Sequence, residues 1–462
     1  MKKPKLSFWQ IWNLSFGFLG VQIGYSLQNS NTSSIFESLG AEVSHLSYFW
    51  LAAPLAGMVI QPIIGMFSDG TWTRFGRRIP YILGGALISS IALMLMPNCP
   101  HLLAFAPLAM GAFILLFMDL SFNVTMQPFR ALVADMLDDS QKTEGYVVQT
   151  FLINLGAVVG AFLPLVMTWL GVSDEAVPGH VSDHIAYSYY AGGTILLLTV
   201  LVTAFRTKEY PPEKFAEYNG LPSVSQDGAH TGDAAACEVQ AGTKGKADSE
   251  KEPKPGFLTL MRNMPEVMLQ LGVTQFFSWA ALFLMWTYLK PAITGTVTDP
   301  ATGAVLTAGE TQTWVGVLNG IYPIPACIVS IFMSRIAARL GNKTVYAVCL
   351  IAGALGFGGL MLIHDKYLMM IPMVFIGIAW AGILAMPYSI LSRYVDAGNM
   401  GAYMGIFNFT ITIPQIVIGL TGGVIVKWIF GSDALSMLGL AGVFMLLAAI
   451  SVAFVGKKSR KS

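Results

Sequence analysis

"LLAFAPLAMGAFILLFMDLSFNVTMQPFRALVADM" occupies residues 102–136. Its first part, "LLAFAPLAMGAFILLF", is apolar almost without a break. A carboxylate, Asp119, then follows, and after it come Asn123, Gln127 and Arg130. An apolar run of roughly 20 residues is what a helix needs to cross a bilayer. The fold turns on whether this run is a lone buried helix or one crossing among many. Composition decides. The 462 residues are 54% hydrophobic and 11% charged, and the mean hydropathy is +0.61. Soluble domains are about a quarter charged.

Comparable windows recur near 8–28, 45–66, 79–97, 102–127, 146–170, 186–205, 265–289, 312–334, 344–363, 367–390, 401–426 and 434–456. Backbone polar groups in lipid must be satisfied within the segment, and barrel strands would be shorter and alternating. The windows therefore predict helices, in an all-α membrane protein with twelve transmembrane spans. From Arg206 to Met264 the pattern breaks into a polar stretch low in aromatics, including "SVSQDGAHTGDAAACEVQAGTKGKADSEKEPKPG". Such a stretch has little to bury and is expected to be largely disordered. It divides the chain into a six-helix bundle at 1–205, a cytoplasmic linker at 206–264 and a second six-helix bundle at 265–462. "RFGRR" (74–78) after helix 2 and "RLGNK" (339–343) after helix 8 form a faint repeat of one half in the other. Paired halves of this kind fit a secondary transporter with its substrate site near the midplane.

The net charge of +1 says little, but its distribution says more. Lys and Arg gather in "MKKPK", "TRFGRR" (73–78), the central linker, "SRIAARLGNK" (334–343) and "KKSRKS". The intervening loops "NSNTSSIFESLGAEVS" (29–44), "GVSDEAVPGHVSD" (171–183) and "TGTVTDPATGAVLTAGE" (294–310) are poor in them. The positive-inside rule then puts both termini in the cytoplasm, which requires an even number of crossings. No small-residue cleavage site follows the first apolar stretch, so it is read as helix 1.

Several chemistries find no support. Cys99, Cys237, Cys327 and Cys349 share no metal or redox spacing, and the histidines form no zinc or haem constellation. The Rossmann fingerprint and the P-loop are absent; "GALGFGG" (353–359) lies inside helix 9 and suits close helix packing. An enzyme is not expected, no cofactor or nucleic-acid partner is implied, and a driving force would come from an ion gradient.

Acidic residues inside membrane helices are rare and usually functional. Glu37, Asp69, Asp135, Glu144, Glu266, Glu310, Asp365 and Asp433 fall in loops or at helix ends, which leaves Asp119 well inside a helix. At about 100° per residue, Asp119, Asn123, Gln127 and Arg130 share roughly 80° of arc. Asp119 and Arg130 are nevertheless about 16 Å apart along the axis, too far for a tight pair. No Lys or Arg lies deep in another helix. An unpaired buried carboxylate tends to take up a proton. A sodium site would want several oxygens, often with a second carboxylate, and helix 2 offers no such carboxylate, so a proton is the expected coupling ion.

"LGVQIGYSLQNSNTSSIFESLG" (19–40) resembles the first helix of the plant sucrose–proton symporters, and "SDGTWTRFGRRIPYI" (68–82) resembles their loop after helix 2. "DLSFNVTMQPFRALVADM" (119–136) is similar to their helix 4 signature, with counterparts in Asp119, Asn123, Pro128 and Arg130. "INLGAVVG" (153–160) and "FFSWAALF" (276–283) are weaker echoes. The wider resemblance is to the glycoside–pentoside–hexuronide:cation symporters of the major facilitator superfamily, which include sucrose and maltose carriers. One departure is plain. The plant carriers have acids near the end of helix 7, where this chain reads "LMWTYLKP" (284–291).

The resemblance implies proton-coupled uptake of a glycoside such as sucrose or maltose by a functional monomer in the plasma (inner) membrane. It also implies that Asp119 couples the proton and contacts sugar. In the loop motif, Gly76 would permit a tight turn, while Asp69, Arg74, Arg77 and Arg78 would lock the cytoplasmic face. Sugar hydroxyls need neutral donors and acceptors, and ring faces stack on aromatics. The candidates are Gln22, Gln28 and Asn29 on helix 1, Asn123 on helix 4, Asn154 on helix 5, Gln275 and Trp279 on helix 7, Asn319 on helix 8 and Asn408 on helix 11. Arg130 is expected to gate, or to pair with Asp135 or another loop acid. A drug or metabolite exporter on the same fold is the alternative; it would show more apolar, less amide-rich helix faces.

Overall fold

The computed structural model describes residues 3–39, 52–103, 105–173, 180–220 and 256–456. The first half contains α1 (Phe8–Ser38), α2 (Ala52–Gly70), α3 (Ile79–Leu95), α4 (Pro107–Met136), α5 (Lys142–Trp169) and α6 (Asp183–Arg206). A helical turn, Met96–Asn98, and a short helix, Cys99–Leu102, extend α3. The second half contains α7 (Glu266–Ile293), α8 in two segments (Ala308–Ile321 and Pro323–Leu340), α9 (Asn342–Leu362), α10 (Met370–Leu391), α11 in two segments (Met400–Phe407 and Phe409–Val424) and α12 (Ala434–Val452). The protein is thus an all-α membrane protein of twelve spans. Among the described residues, ten helices are long and apolar enough to cross a membrane. The remaining two are α1, which is dense in Gln, Asn and Ser, and α2, of which the described part is 19 residues long.

Several boundaries move. Residues 29–38, read as loop from their polarity, continue α1 as helix. Ile35 and Phe36 explain it, since both are almost fully buried and hold the end of α1 against the bundle. The "SRIAARL" stretch likewise continues α8 to Leu340. The expected disorder of the linker concerns mainly residues 221–255, which lie outside the described residues. The start of the linker is structured. A helix, Pro212–Asn219, follows α6, and Phe215 and Ala216 are buried. Glu209 accepts hydrogen bonds from the amides of Arg77, Arg78 and Ile79 at 3.1, 2.8 and 2.9 Å, so a linker carboxylate caps α3. Burial pushes that carboxyl above the ordinary range despite these three donors. Gly76 makes the approach possible: its φ is +113°, and a Cβ there would run into Glu209.

Within the first half, α1 lies against α5 and α6, and α3 against α4 and α6. Within the second, α7 lies against α12 and α11, and α9 against α10 and α12. The halves meet along α2–α11 and α5–α8, with α4–α11 and α5–α10 beside them. On the α2–α11 seam the backbones touch: a Cβ on Gly65 would strike the Gly401 carbonyl, and one on Gly405 the Gln61 carbonyl. Small residues permit such approach, and no larger side chain fits.

Glu209→Ala leaves three buried amides at the start of α3 without their acceptor. The expected cost is about 1–2 kcal/mol, read as a lower thermal-unfolding midpoint of the solubilised protein. Glu209→Gln, which keeps an accepting oxygen, should recover part of it. An unchanged midpoint in Glu209→Ala would show that the linker does not brace the first half.

Candidate functional site

Two polar assemblies lie between the halves. The first is at the face where Arg77, Arg78, Lys142 and Arg393 gather, here called the basic face. Arg78 is fully buried. Its Nη2 lies 2.5 Å from Asp69 Oδ1, and its Nε lies 2.8 Å from Asp135 Oδ2. Arg77 Nη2 reaches the same Asp135 oxygen at 2.9 Å. Burial works against the charge of Arg78, but Asp135 and Asp69 outweigh it and hold the guanidinium above its ordinary value. Arg77 goes the other way, because burial and then the neighbouring Arg78 outweigh its carboxylates. Asp69 also accepts from the Gly401 and Ala402 amides at 3.0 and 2.8 Å, at the start of α11. One carboxylate thus joins a first-half arginine to a second-half helix. Gln127 Nε2 adds a bond to the Gly401 carbonyl at 2.6 Å, and Lys142 Nζ one to the Ser392 carbonyl at 2.7 Å.

Two expectations about this face need correction. Arg74 is exposed and lies over Phe75 at 4.7 Å, outside the network. Arg130 does not pair with Asp135, which is engaged by Arg77 and Arg78. Its guanidinium lies over the Tyr388 ring of α10 at 4.7 Å, across the seam. The reason is rotational: Asp135 is five residues further on, about 140° round the helix.

The second assembly surrounds Asp119, which is 2% exposed. Gln28 Nε2 of α1 donates to Asp119 Oδ1 at 2.5 Å. Asn123 Nδ2 donates to the Asp119 main-chain carbonyl at 2.8 Å, and Asn123 Oδ1 accepts from Gln61 Nε2 of α2 at 2.6 Å. Asn408, at the break in α11, brings its Nδ2 to the same patch, because a Cβ on Gly57 would meet both it and Asn123 Oδ1. Gln28, Gln61, Asp119, Asn123 and Asn408 are therefore brought together by four different helices. Tyr25 hydrogen-bonds Asn29, packs edge-on to Phe122 at 5.8 Å and lies within electrostatic range of Asp119 and Arg130.

Facing it from the second half is an aromatic wall. Trp279 and Trp286 of α7 each pack edge-on to Trp380 of α10, with centroids 5.5 and 6.1 Å apart. Tyr322, at the break in α8, joins them at 5.9 Å from Trp380 and lies within electrostatic range of Tyr25. The remaining candidates lie apart from this cluster's hydrogen bonds. Gln22 is half-buried beside Gly156, and Asn154 bonds the Thr150 carbonyl of its own helix at 2.8 Å. Gln275 accepts from the Tyr346 hydroxyl of α9 at 2.7 Å, a contact inside the second half. Asn319 is half-buried.

Sequence reasoning missed Gln61, Tyr25, Tyr322, Trp286, Trp380 and Tyr388. Gln61 had a signal, an amide within the apolar run of α2. The aromatics had none, since tryptophan and tyrosine in membrane helices serve equally as interfacial anchors. Several buried polar atoms here lack a protein partner among the described residues: Gln28 Oε1, Gln61 Oε1, Arg130 Nη1, Trp279 Nε1 and Asn319 Oδ1.

Twelve helices in two six-helix halves, meeting on a polar seam, define a membrane carrier of the major facilitator type. Two family models match: "MFS/sugar transport protein" over residues 35–227 and "Major Facilitator Superfamily" over residues 271–462. The chain belongs to the major facilitator superfamily. It is similar to the sucrose transport protein SUC4 of Arabidopsis thaliana, with 24% identity over 87% of this chain and 81% of that one. It is also similar to the sucrose transport protein SUT3 of Oryza sativa subsp. indica, with 26% identity over 93% of this chain and 89% of that one. Among solved structures, the E. coli fucose:proton symporter FucP matches with a TM-score of 0.69 at 11% identity, over 98% of this chain and 99% of that one. The proton:xylose symporter XylE matches with a TM-score of 0.66 at 12% identity, over 96% of this chain and 94% of that one.

Asp69→Ala removes the group that holds both Arg78 and the start of α11. Breaking a buried pair on one side costs about 3–5 kcal/mol. Deuterium exchange at the 400–405 amides should accelerate many-fold. Exchange at the parent rate would show that the halves are held elsewhere.

Proposed function

We propose that this carrier moves a glycoside together with protons, and that the glycoside is an α-glucosidic disaccharide such as sucrose or maltose. The carrying observation is the set of unpartnered buried polar atoms on both sides of the seam, next to an aromatic wall. Buried polar groups left unpaired cost free energy, so a ligand rich in hydroxyls gains by satisfying them. The aromatic wall suits the apolar faces of sugar rings. The similarity to the sucrose transport proteins of Arabidopsis and rice supports the same class of substrate.

Asp119 is proposed as the coupling group. The partner described for it is an amide, not a cation. A protonated carboxyl donates as well as accepts, which a carboxylate cannot do, so proton and sugar would favour each other's binding. A proton is preferred to sodium, because a sodium site often adds a second carboxylate, and the partner described for Asp119 is an amide. The basic face is taken as cytoplasmic by the positive-inside rule, with both termini on that side of the plasma (inner) membrane. The state described here, with the halves joined at the basic face, would then be closed towards the cytoplasm. Alternating access requires the Asp69–Arg78–Asp135 contacts to open and re-form in each cycle. We take the working unit to be a monomer, with no catalytic step.

Two experiments test this reading. Asp119→Asn cannot release a proton, so proteoliposomes containing it should lose sugar accumulation driven by an imposed pH gradient while retaining some exchange. Accumulation equal to the parent would make Asp119 structural. For the substrate, sucrose or maltose should raise the unfolding midpoint of the solubilised protein by mass action on the folded state. A shift with a hexuronide alone would overturn the disaccharide assignment.

A further inference from the structure

A cavity of about 800 Å³ opens on the basic face, between the first turn of α5, the end of α8, the start of α9 and the end of α10. None of the sugar-site or lock residues lines it. Arg335, Lys343 and Arg393 do, against one carboxylate, Glu144. Lys343 Nζ donates to the Val455 carbonyl at 2.5 Å and Arg393 Nη2 to Thr143 Oγ1 at 2.7 Å. Each keeps further N–H donors. Arg335 has no ion pair among the described residues. The start of α9 adds to the positive field, since its first turn has no side-chain cap. Next to the cavity, α8 presents Ile328 and Ile331 on the face of Arg335, 54 and 55% exposed on a membrane-spanning helix. An anion-attracting cavity continuous with an apolar helix face fits an amphiphile with an anionic head. Basic pockets between membrane helices are characteristic sites for acidic lipid headgroups.

We propose that an anionic phospholipid binds here and favours the state in which the basic face is closed. Its phosphodiester lies among Arg335, Lys343 and Arg393, and its chains run along α8. The link to conformation lies in the walls and in the bonds behind them. Of the lining residues, Thr143 belongs to the first half and Asn342 and Arg393 to the second, and Ser389 of the second half stands behind them. Thr143 Oγ1 and Ser389 Oγ are 2.9 Å apart, and Asn342 Nδ2 donates to Thr143 Oγ1 at 3.0 Å and to Ser389 Oγ at 2.8 Å. Parting the halves at this face separates the walls and dismantles the cavity. A ligand that binds the assembled cavity alone shifts the equilibrium towards it, by its difference in affinity for the two states.

The test uses the purified full chain. Native mass spectrometry is run with phosphatidylglycerol, phosphatidylcholine or inorganic phosphate, and deuterium exchange is followed in nanodiscs of either lipid. Phosphatidylglycerol should be retained in preference. Arg335→Gln and Arg393→Gln should each weaken retention about fivefold, equivalent to ~1 kcal/mol per basic residue. Glu144→Gln should strengthen it. This opposite sign keeps the test decisive if an arginine variant folds poorly, which circular dichroism and elution profile would reveal. Amides at 140–144 and 389–394 should exchange more slowly in phosphatidylglycerol nanodiscs than in phosphatidylcholine. Equal retention of phosphatidylcholine, occupancy by inorganic phosphate to the same extent, or unchanged retention in Glu144→Gln would overturn the lipid site. Equal exchange in the two lipids would overturn its effect on conformation.

Discussion

The guanidinium of Arg78, held between Asp69 and Asp135, is the interaction on which the described state depends. A fully buried arginine is tolerable only with its charge compensated and its donors satisfied. Asp69 and Asp135 meet that demand, and Ser68 Oγ accepts a further bond. Asp69 then has a second obligation, the first amides of α11. A helix from the second half is thereby tied to the solvation of a charge in the first. The small residues of the α2–α11 seam let the backbones approach closely enough for one carboxylate to serve both. Glu209, reaching back from the linker, fixes the loop that presents Arg77 and Arg78.

Asp119 shows the opposite solution to the same problem. It is as deeply buried as Asp69 and Asp135, yet its described hydrogen bond comes from the neutral amide of Gln28. Two of these carboxylates hold arginines, and the third is held by an amide. That contrast separates the carboxylates whose charge is matched by arginine from the one whose described partner is neutral, and the coupling role proposed for Asp119 rests on it. The hydrogen bonds around Asp119 join α1, α2 and α4 of the first half, and Asn408 of α11 comes up beside them from the second.

Much of this was legible in the chain. The windows gave the number and class of the helices because lipid makes hydropathy almost decisive. Asp119 stood out in the 102–136 stretch, because it lies well inside the helix while Asp135 lies near its end, and uncompensated charge is costly in that medium. Where polarity misled, as at residues 29–38, local composition and tertiary burial pointed different ways: Ile35 and Phe36 hold a polar segment in the helix. Arg74, Arg77 and Arg78 are close neighbours in a basic loop, yet Arg77 and Arg78 turn inward while Arg74 faces out.

The sequence alone determined the spans, the division into halves, and the identity of Asp119 as the unusual group, because each follows from composition or from the period of a single helix. Partnership was decided by the tertiary structure. Gln28 reaches Asp119 from 91 residues away, and the amide of Gly401 reaches Asp69 from 332 residues away. The tryptophans of α7 and α10 become one wall only when those helices lie side by side. Helical periodicity states which residues share a face. It is silent on which faces meet, and in a bundle whose helices are all apolar that choice rests on close packing and on the few polar groups that must find partners.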